Sequence, residues 1–297
     1  MIKNKLTFTV GIPTYYGGLG LVEATKSILT SKNIGKFRII VCVDGNPLEK
    51  SVEKKLLSLG VEVVFNHIRG GQVARIKQIM SLTKTDILIL TQDDIQFEPY
   101  ALAGIIKLFE TKLYITMIGA RVLPVPAKIF FEKIVEAGVS LTHRVGMLWN
   151  GGDNYLLSSG RCLAFRTDFI KKFKIPEEVI NSDAYLYLEN KRNGGMFKYL
   201  PEAIVYNKSP QNLKEHLKQS RKFQYSLEEL SKYINFELEN EYSVPLILKL
   251  RAYLTEFIKN PFWTLLYFMV FFYTRTQQKN MYSKAKRFWD TDVSTKK

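Results

Sequence analysis

Asp93 and Asp94 stand side by side, two residues beyond the four apolar residues Ile87 to Leu90, in the stretch TDILILTQDDIQFEP. Adjacent carboxylates repel, and holding them together calls for a cation between them and an anionic ligand. A hard divalent ion that keeps substrate phosphates in its coordination shell suits such a pair. The competing reading is an ordinary acidic strand-to-helix turn, with Asp94 or Glu98 near a helix N-terminus and Pro99 at its first position. Three other places carry chemistry of a related kind. Asp44 closes the apolar run FRIIVCV and starts an Asp-Gly-Asn-Pro cluster; its carboxylate suits a base N–H or a ribose hydroxyl, and equally the first position of a turn. Arg69 and Arg75 bracket Gly70-Gly71, a loop suited to phosphate oxygens, although a solvated basic helix face has the same composition. Asp183 follows Asn181-Ser182 ahead of AYLYLENK, where a helix N-cap would explain it as well as a catalytic role.

The elements that must position these residues alternate. Leu6 to Ile12 reads as a strand, Leu21 to Leu29 as a helix, Phe37 to Val43 as a strand, Leu48 to Leu59 as a helix and Val61 to Phe65 as a strand. Gln72 to Leu82 has helical spacing, Asp86 to Leu90 is the next strand, Pro99 to Phe109 a helix and Ile115 to Gly119 a further strand. Strands alternating with helices build βαβ units and an α/β fold with a mainly parallel, Rossmann-like sheet flanked by helices. Ligands in such sheets collect beyond the carboxyl ends of the strands, the edge at which Asp44 and Asp93-Asp94 would lie. The segment from Ala120 to Asp153 is broken by Pro124 and Pro126. Its WNGGD end is a loop in which Trp149 could stack on a sugar or pack as a turn.

The 297 residues carry 43 Lys+Arg against 28 Asp+Glu, a formal charge of +15, which points to anionic partners. From Val244 onward there are ten Lys/Arg and three Asp/Glu. That concentration favours a surface near the C-terminus over a nucleic-acid binder, so no nucleic-acid partner is expected. Cys42 and Cys162 have no CxxC partner and read as buried thiols of a reducing compartment. The short apolar run after the basic N-terminus is stopped by Gly11 and Pro13 and does not read as a signal peptide. The histidines His67, His143 and His216 lack metal-ligand spacing. The GGLGLVE loop has Glu23 where a dinucleotide fingerprint needs its third glycine.

Taken in order, VGIPTYYG, VCVDGNP, RGGQVARIKQ and LTQDDIQFEP, then SSGRCLAFRTDFIKK, NSDAYLYLENKRNGGMFKYLPEAIVYN and QSRKF, the chain resembles the family 2 glycosyltransferases of the GT-A fold from about Thr7 to Phe223. The resemblance implies an inverting transfer of a sugar from a nucleoside-diphosphate donor, UDP-linked first, to a hydroxyl of a glycan or lipid-linked glycan. It implies Pro13 and Tyr15 beside the base, Asp44 on the base edge, Arg75 among the donor contacts, Asp93 near the ribose, Asp94 on Mn²⁺ or Mg²⁺, and Asp183 as general base. Gln219, Arg221 and Lys222 become phosphate or acceptor contacts. Some positions depart from the family pattern. Gln92 replaces the first Asp of DxD, Asn207 stands where a His often follows, and Lys222-Phe223 replace Arg-Trp. A catalytically silent nucleotide-sugar-binding scaffold is therefore the alternative. Residues 1–235 are expected to form the catalytic domain, with 1–119 the donor half and 120–235 the acceptor half.

Residues 236–297 form the extension. Leu246, Leu250, Leu254 and Ile258 make an apolar stripe, and Asn260-Pro261 opens a second, aromatic helix over Phe262 to Tyr273. A dozen apolar residues fall short of the roughly 20 needed to span a bilayer. With basic residues Arg275, Lys279, Lys284, Lys286 and Arg287 nearby, these helices are expected to lie on an anionic membrane face, the cytoplasmic one. The alternative is a hairpin packed on the catalytic domain or on a second subunit.

Overall fold

In the computed structural model, which describes residues 5–234 and 238–277, one eight-stranded sheet runs through both halves of the chain. Its strands are β1 Phe8–Thr14, β2 Phe37–Asp44, β3 Glu62–Asn66, β4 Ile87–Thr91, β5 Gln96–Phe97, β6 Ile115–Pro124, β7 Cys162–Arg166 and β8 Met196–Asn207, in spatial order β3-β2-β1-β4-β7-β6-β8-β5. The first four are mutually parallel, β6 and β8 continue that direction, and only β7 and β5 oppose their neighbours. The helices are α1 Leu19–Leu29, α2 Lys50–Ser58, α3 Gln72–Leu82, α4 Ala101–Thr111, α5 Phe130–Leu148, α6 Thr167–Ile170, α7 Ser182–Arg192, α8 Leu213–Gln224, α9 Ser226–Leu230, α10 Leu238–Tyr242, α11 Leu246–Lys259 and α12 Pro261–Thr276.

The central strands are apolar along their length because both faces are covered. Ile39, Val41 and Val43 of β2 point to one core with α1, α2 and α4. Ile40 and Cys42 point to the other, with α3 and α7. Burial in that layer pushes the thiols of Cys42 and Cys162 up to about 12, which leaves them packed and unreactive at neutral pH. Pro13 is tolerated in β1 because pairing with β4 ends at Gly11, so its missing N–H faces no partner strand on that side.

Several elements depart from the sequence expectation. Asp93 and Asp94 do not lead directly into a helix. The chain turns, forms β5 against β8, and enters α4 only at Ala101, with Tyr100 at the N-cap and its N–H on Glu98 Oε2. The helix-start reading thus holds for Glu98 and not for Asp94, and Pro99 lies ahead of the helix instead of at its first position. The 120–153 stretch, unassigned from sequence, contains a 19-residue helix, α5, after Pro124 and Pro126. Its apolar positions Ile134, Val135, Leu141 and Val145 have helical spacing and are buried.

The C-terminal helices form a hairpin packed on α5. Arg144 of α5 pairs with the buried Glu256 of α11, and Tyr267 of α12 lies over Gly138, where an added Cβ would come within 2.1 Å of the ring. Among the described residues no helix is long and apolar enough to cross a membrane.

Candidate active site

The donor-side loops are built first. Asp44, at the end of β2, is fully buried. It accepts from the N–H of Gly70 (2.8 Å, Oδ1) and of Gly71 (2.9 Å, Oδ2), and Arg75 Nε lies 3.2 Å from Oδ1. In this arrangement Asp44 and Arg75 fasten the Arg69–Gly71 loop to the sheet edge. Gly45, at φ +78, is required for the fit, because a Cβ there would lie 2.9 Å from Arg69 Cβ. The loop in turn holds Arg69 with its guanidinium 3.9 Å from the centroid of the half-buried Tyr15 ring. A stacked Arg–Tyr pair at the carboxyl edge offers a planar surface and a positive charge for an anionic, aromatic ligand. Pro13 lies one turn of the pleat below it, buried within β1.

The acid pair is fixed by a different route. Thr14, the last residue of β1, donates to Asp93 Oδ2 at 2.5 Å while its hydroxyl accepts from Gly17 N–H at 3.0 Å. Asp93 is thereby tied to the Gly17–Gly18 turn that opens α1. Asp94 follows on the same turn, and the antiparallel register of β4 with β7 pairs Thr91 with Cys162. That register brings the Gly160-Arg161 turn alongside the acids, and the hydroxyl of Thr91 donates to the Arg161 carbonyl at 2.7 Å.

Asp183 reaches this edge from the opposite direction, on the first turn of α7. The helix is buried around its whole circumference from Ser182 to Asn190, so its polar groups need partners inside the protein. Tyr187 lies between Asp153 and Glu241 at 3.1 Å from each, and Thr116 donates to Asn190 Oδ1 at 2.7 Å. Glu229 of α9 accepts from the N–H groups of Ile180 and Asn181 and so ties down the approach to the helix. The N-cap is Asn181, not Asp183, so the capping explanation for Asp183 does not hold.

Gly160 has no side chain at the point where Asp183 comes in: an added Cβ would sit 2.2 Å from Oδ1 and 2.8 Å from Oδ2. Ser182 Oγ donates to the same Oδ1 at 3.2 Å. Arg161, next in sequence, feels both Asp94 and Asp183. Its burial lowers its pKa, and those two carboxylates are the charges that oppose the shift. Its guanidinium is a buried positive charge that both acids feel, a cation that sequence reading passed over. Only the β4–β7 register brings it there, and no local motif signals it.

The remaining candidates fall outside this cluster or beyond description. Trp149, expected as a sugar-stacking aromatic, is 4% exposed and packs edge-on against Tyr155 with its carbonyl accepting from Asn154. Its ring is core and has no free face for a sugar. Gln219 lies on α8, partly buried, while the side chains of Arg221 and Lys222 lie outside the described residues. Asn207 ends β8, and its side-chain amide donates to the Lys208 carbonyl at 3.2 Å. None of the histidines joins the acids: His143 bonds Tyr199 at 2.7 Å, His216 packs on Phe131, and His67 lies exposed against Phe65.

A metal has a consistent place in this geometry. Among the described residues no three His, Cys, Asp or Glu side chains converge. The acid pair would therefore supply one or two carboxylate ligands only, the number a Mn²⁺ or Mg²⁺ ion takes when phosphate oxygens and water complete its shell.

An eight-stranded α/β/α sheet of this order, with paired acids after the fourth strand and a buried helix delivering a third acid, is a GT-A fold. Residues 7–226 match the family described as Glycosyltransferase like family 2, and the chain belongs to that family and is a glycosyltransferase. No curated protein matches the sequence. Among solved structures, the chain is similar to the mannosyltransferase PcManGT from Pyrobaculum calidifontis, in complex with GDP-Man and Mn²⁺. The identity is 12%, the TM-score 0.66, and 95% of this chain and 89% of that one are covered. It is also similar to glucosyl-3-phosphoglycerate synthase from Mycobacterium tuberculosis in complex with Mn²⁺, UDP-glucose and phosphoglyceric acid. There the identity is 14% and the TM-score 0.54, over 77% of this chain and 80% of that one.

Proposed function

We propose that this glycosyltransferase moves a sugar from a nucleoside-diphosphate donor to the hydroxyl of a glycan or lipid-linked glycan with inversion at the anomeric carbon. The observation that carries the reading is the seat of Asp183 against Gly160, on the turn that the β4–β7 register sets beside Asp93-Asp94. A carboxylate that must take a proton from an acceptor and a carboxylate that must hold a metal at the leaving group belong at opposite ends of one small site. Donor loops and acceptor helix converge in that way here.

The Tyr15–Arg69 stack receives the base and ribose side of the donor, and Asp93 is the carboxylate nearest the ribose. Asp94 would hold Mn²⁺ or Mg²⁺, which supplies Lewis-acid stabilisation of the departing diphosphate when bound. Arg161 keeps Asp94 and Asp183 from repelling one another before substrate arrives, and Asp183 takes the proton of the acceptor hydroxyl. The structural relatives carry GDP-Man in one case and UDP-glucose in the other, so both bases are to be tried.

The test is transfer of labelled sugar from UDP- and GDP-linked donors, with Mn²⁺, to extracted glycans and glycolipids, followed by NMR of the product's anomeric configuration. Label transfer with inverted configuration is expected. Retained configuration would overturn the direct-displacement reading, and donor binding without transfer to any acceptor would favour a silent scaffold.

A further inference from the structure

The α11–α12 hairpin has its polarity reversed. Its buried side chains are Ala252 and Glu256 on α11 and Thr264 and Thr274 on α12. Its outward stripe holds Ile247, Leu254 and Ile258 on one helix and Phe262, Leu265 and Met269 on the other, with Ile258 71% exposed and Met269 62%. Both sets follow helical spacing, so each helix turns an apolar stripe outward, while the side toward α5 combines the small and polar Ala252, Glu256 and Thr264 with the Tyr267 ring over Gly138. Single exposed apolar residues are ordinary in soluble proteins, but two adjacent stripes of them on one hairpin are not. Glu256 on the inner face is neutralised by Arg144, so no acid of α11 or α12 reaches the outer face, whereas Arg251 and Lys259 of the same helix are exposed. Phe130 at the start of α5 packs on Phe262 and Trp263, with Lys133 over the Trp263 ring, and continues the same apolar and basic surface.

We infer that the outward face of the α11–α12 hairpin docks flat on an anionic lipid bilayer. The apolar stripes enter the boundary between headgroups and acyl chains, and Arg251, Lys259 and Lys133 meet the lipid phosphates. Charge complementarity selects this occupant. Among the described residues of the hairpin, Lys249, Arg251, Lys259 and Arg275 face one acid, Glu256, already paired with Arg144, so a second copy of this surface would be repelled whereas anionic headgroups neutralise it. Helices of 14 and 16 residues are long enough to lie in the interface and too short to span the bilayer. The hairpin rests on α5, and Gln224 of α8 donates to Thr274 at 3.3 Å, so the half carried to the surface is the one after Gly119. If the function proposed above holds, a lipid-carried acceptor is the member of its acceptor class that this orientation favours.

The experiment is flotation of the full chain with vesicles of phosphatidylcholine alone or of phosphatidylcholine with phosphatidylglycerol, at low and high salt, alongside light scattering without lipid. Leu254→Gln and Met269→Gln change only outward positions. Their folding is checked by the melting temperature, and nucleotide-induced thermal shifts are recorded in parallel so that failure of the donor site is read separately. The expected result is flotation with the anionic vesicles, weakened by salt, and about tenfold or more weaker partitioning for each substitution. Failure of the wild-type chain to float with either vesicle would overturn the inference. So would a dimer in solution that Leu254→Gln dissociates without any vesicle binding, since the face would then belong to a second copy.

Discussion

A general base has to be held where the acceptor proton will be, and Asp183, the base proposed above, is held from several sides. Gly160 leaves it room, Ser182 donates to one oxygen, and Glu229 secures the two peptide groups ahead of it. Asp183→Asn keeps that size and shape and removes the basicity. Transfer should fall by about 10²–10⁴-fold, while the donor-induced thermal shift stays as in the wild type; loss of donor binding as well would place Asp183 on the donor side. Arg161 calls for a different experiment, because its buried charge is felt by two carboxylates at once. Arg161→Gln should lower the stability of the metal-free protein by about 1–3 kcal/mol, and Mn²⁺ should restore part of the loss by taking up the charge of Asp94. Urea denaturation with and without Mn²⁺ measures both effects, and equal loss in the two conditions would make Arg161 a packing residue only.

At the scale of elements, the register of β4 against β7 does what no local motif does. Pairing Thr91 with Cys162 sets the Gly160-Arg161 turn beside Asp93-Asp94, and α7 then lowers Asp183 onto Gly160. Gly160→Ala should displace the carboxylate, because no Cβ fits 2.2 Å from Oδ1. Transfer should drop steeply with the fold intact by circular dichroism, and an unchanged rate would show that the acid is mobile enough not to need the seat. The same feature explains what the sequence disclosed. Strands β1, β2 and β4, and the acids that close β2 and follow β4, were legible because doubly buried strands are apolar runs ending in polar turns. Arg161 was not, since its partners are about 20 and 70 positions away and meet it only through tertiary pairing. Helix α5 was obscured by Pro124 and Pro126 before it and by Gly138 within it, although Gly138 is small for a reason, the close approach of Tyr267. Trp149 misled because an aromatic beside glycines has the same local composition in a binding loop and in a packed turn, and only burial separates the two.

Across the whole molecule, the C-terminal segment carries two sequence signals at once, apolar stripe and basic excess, and the fold shows how both are accommodated. The hairpin packs on α5 through Glu256 and the Tyr267 ring and leaves an apolar stripe outward, so packing on protein does not use up the apolar surface that the membrane proposal needs. The acceptor-side layer beneath it contains a pH-sensitive contact. Burial lowers the pKa of His143, with Arg121 and Arg144 adding to the effect, and burial does the same to His216. Each then binds protons less readily folded than unfolded. Its contribution to stability is full above about pH 6.5, the unfolded value, and is lost as pH falls through the lower folded value. Unfolding free energies from urea denaturation should therefore decline from pH 7.5 to 5.5 with a slope of up to about 1.4 kcal/mol per pH unit for each group. His143→Gln should flatten the decline; an unchanged slope would assign it to carboxylates elsewhere.

The account stands on a donor site in which Asp94 recruits a metal to the diphosphate, and metal-dependent nucleotide binding tests that directly. Thermal shifts of the wild type and of Asp94→Asn would be recorded with UDP, GDP, dTDP and CDP, each with Mn²⁺ and again with EDTA. The account predicts that one nucleotide stabilises the wild type by about 2.7 kcal/mol at a hundred times its Kd, and that both EDTA and Asp94→Asn remove most of the effect. A shift of equal size in EDTA and in Asp94→Asn would contradict it, as would the absence of a shift with all four nucleotides.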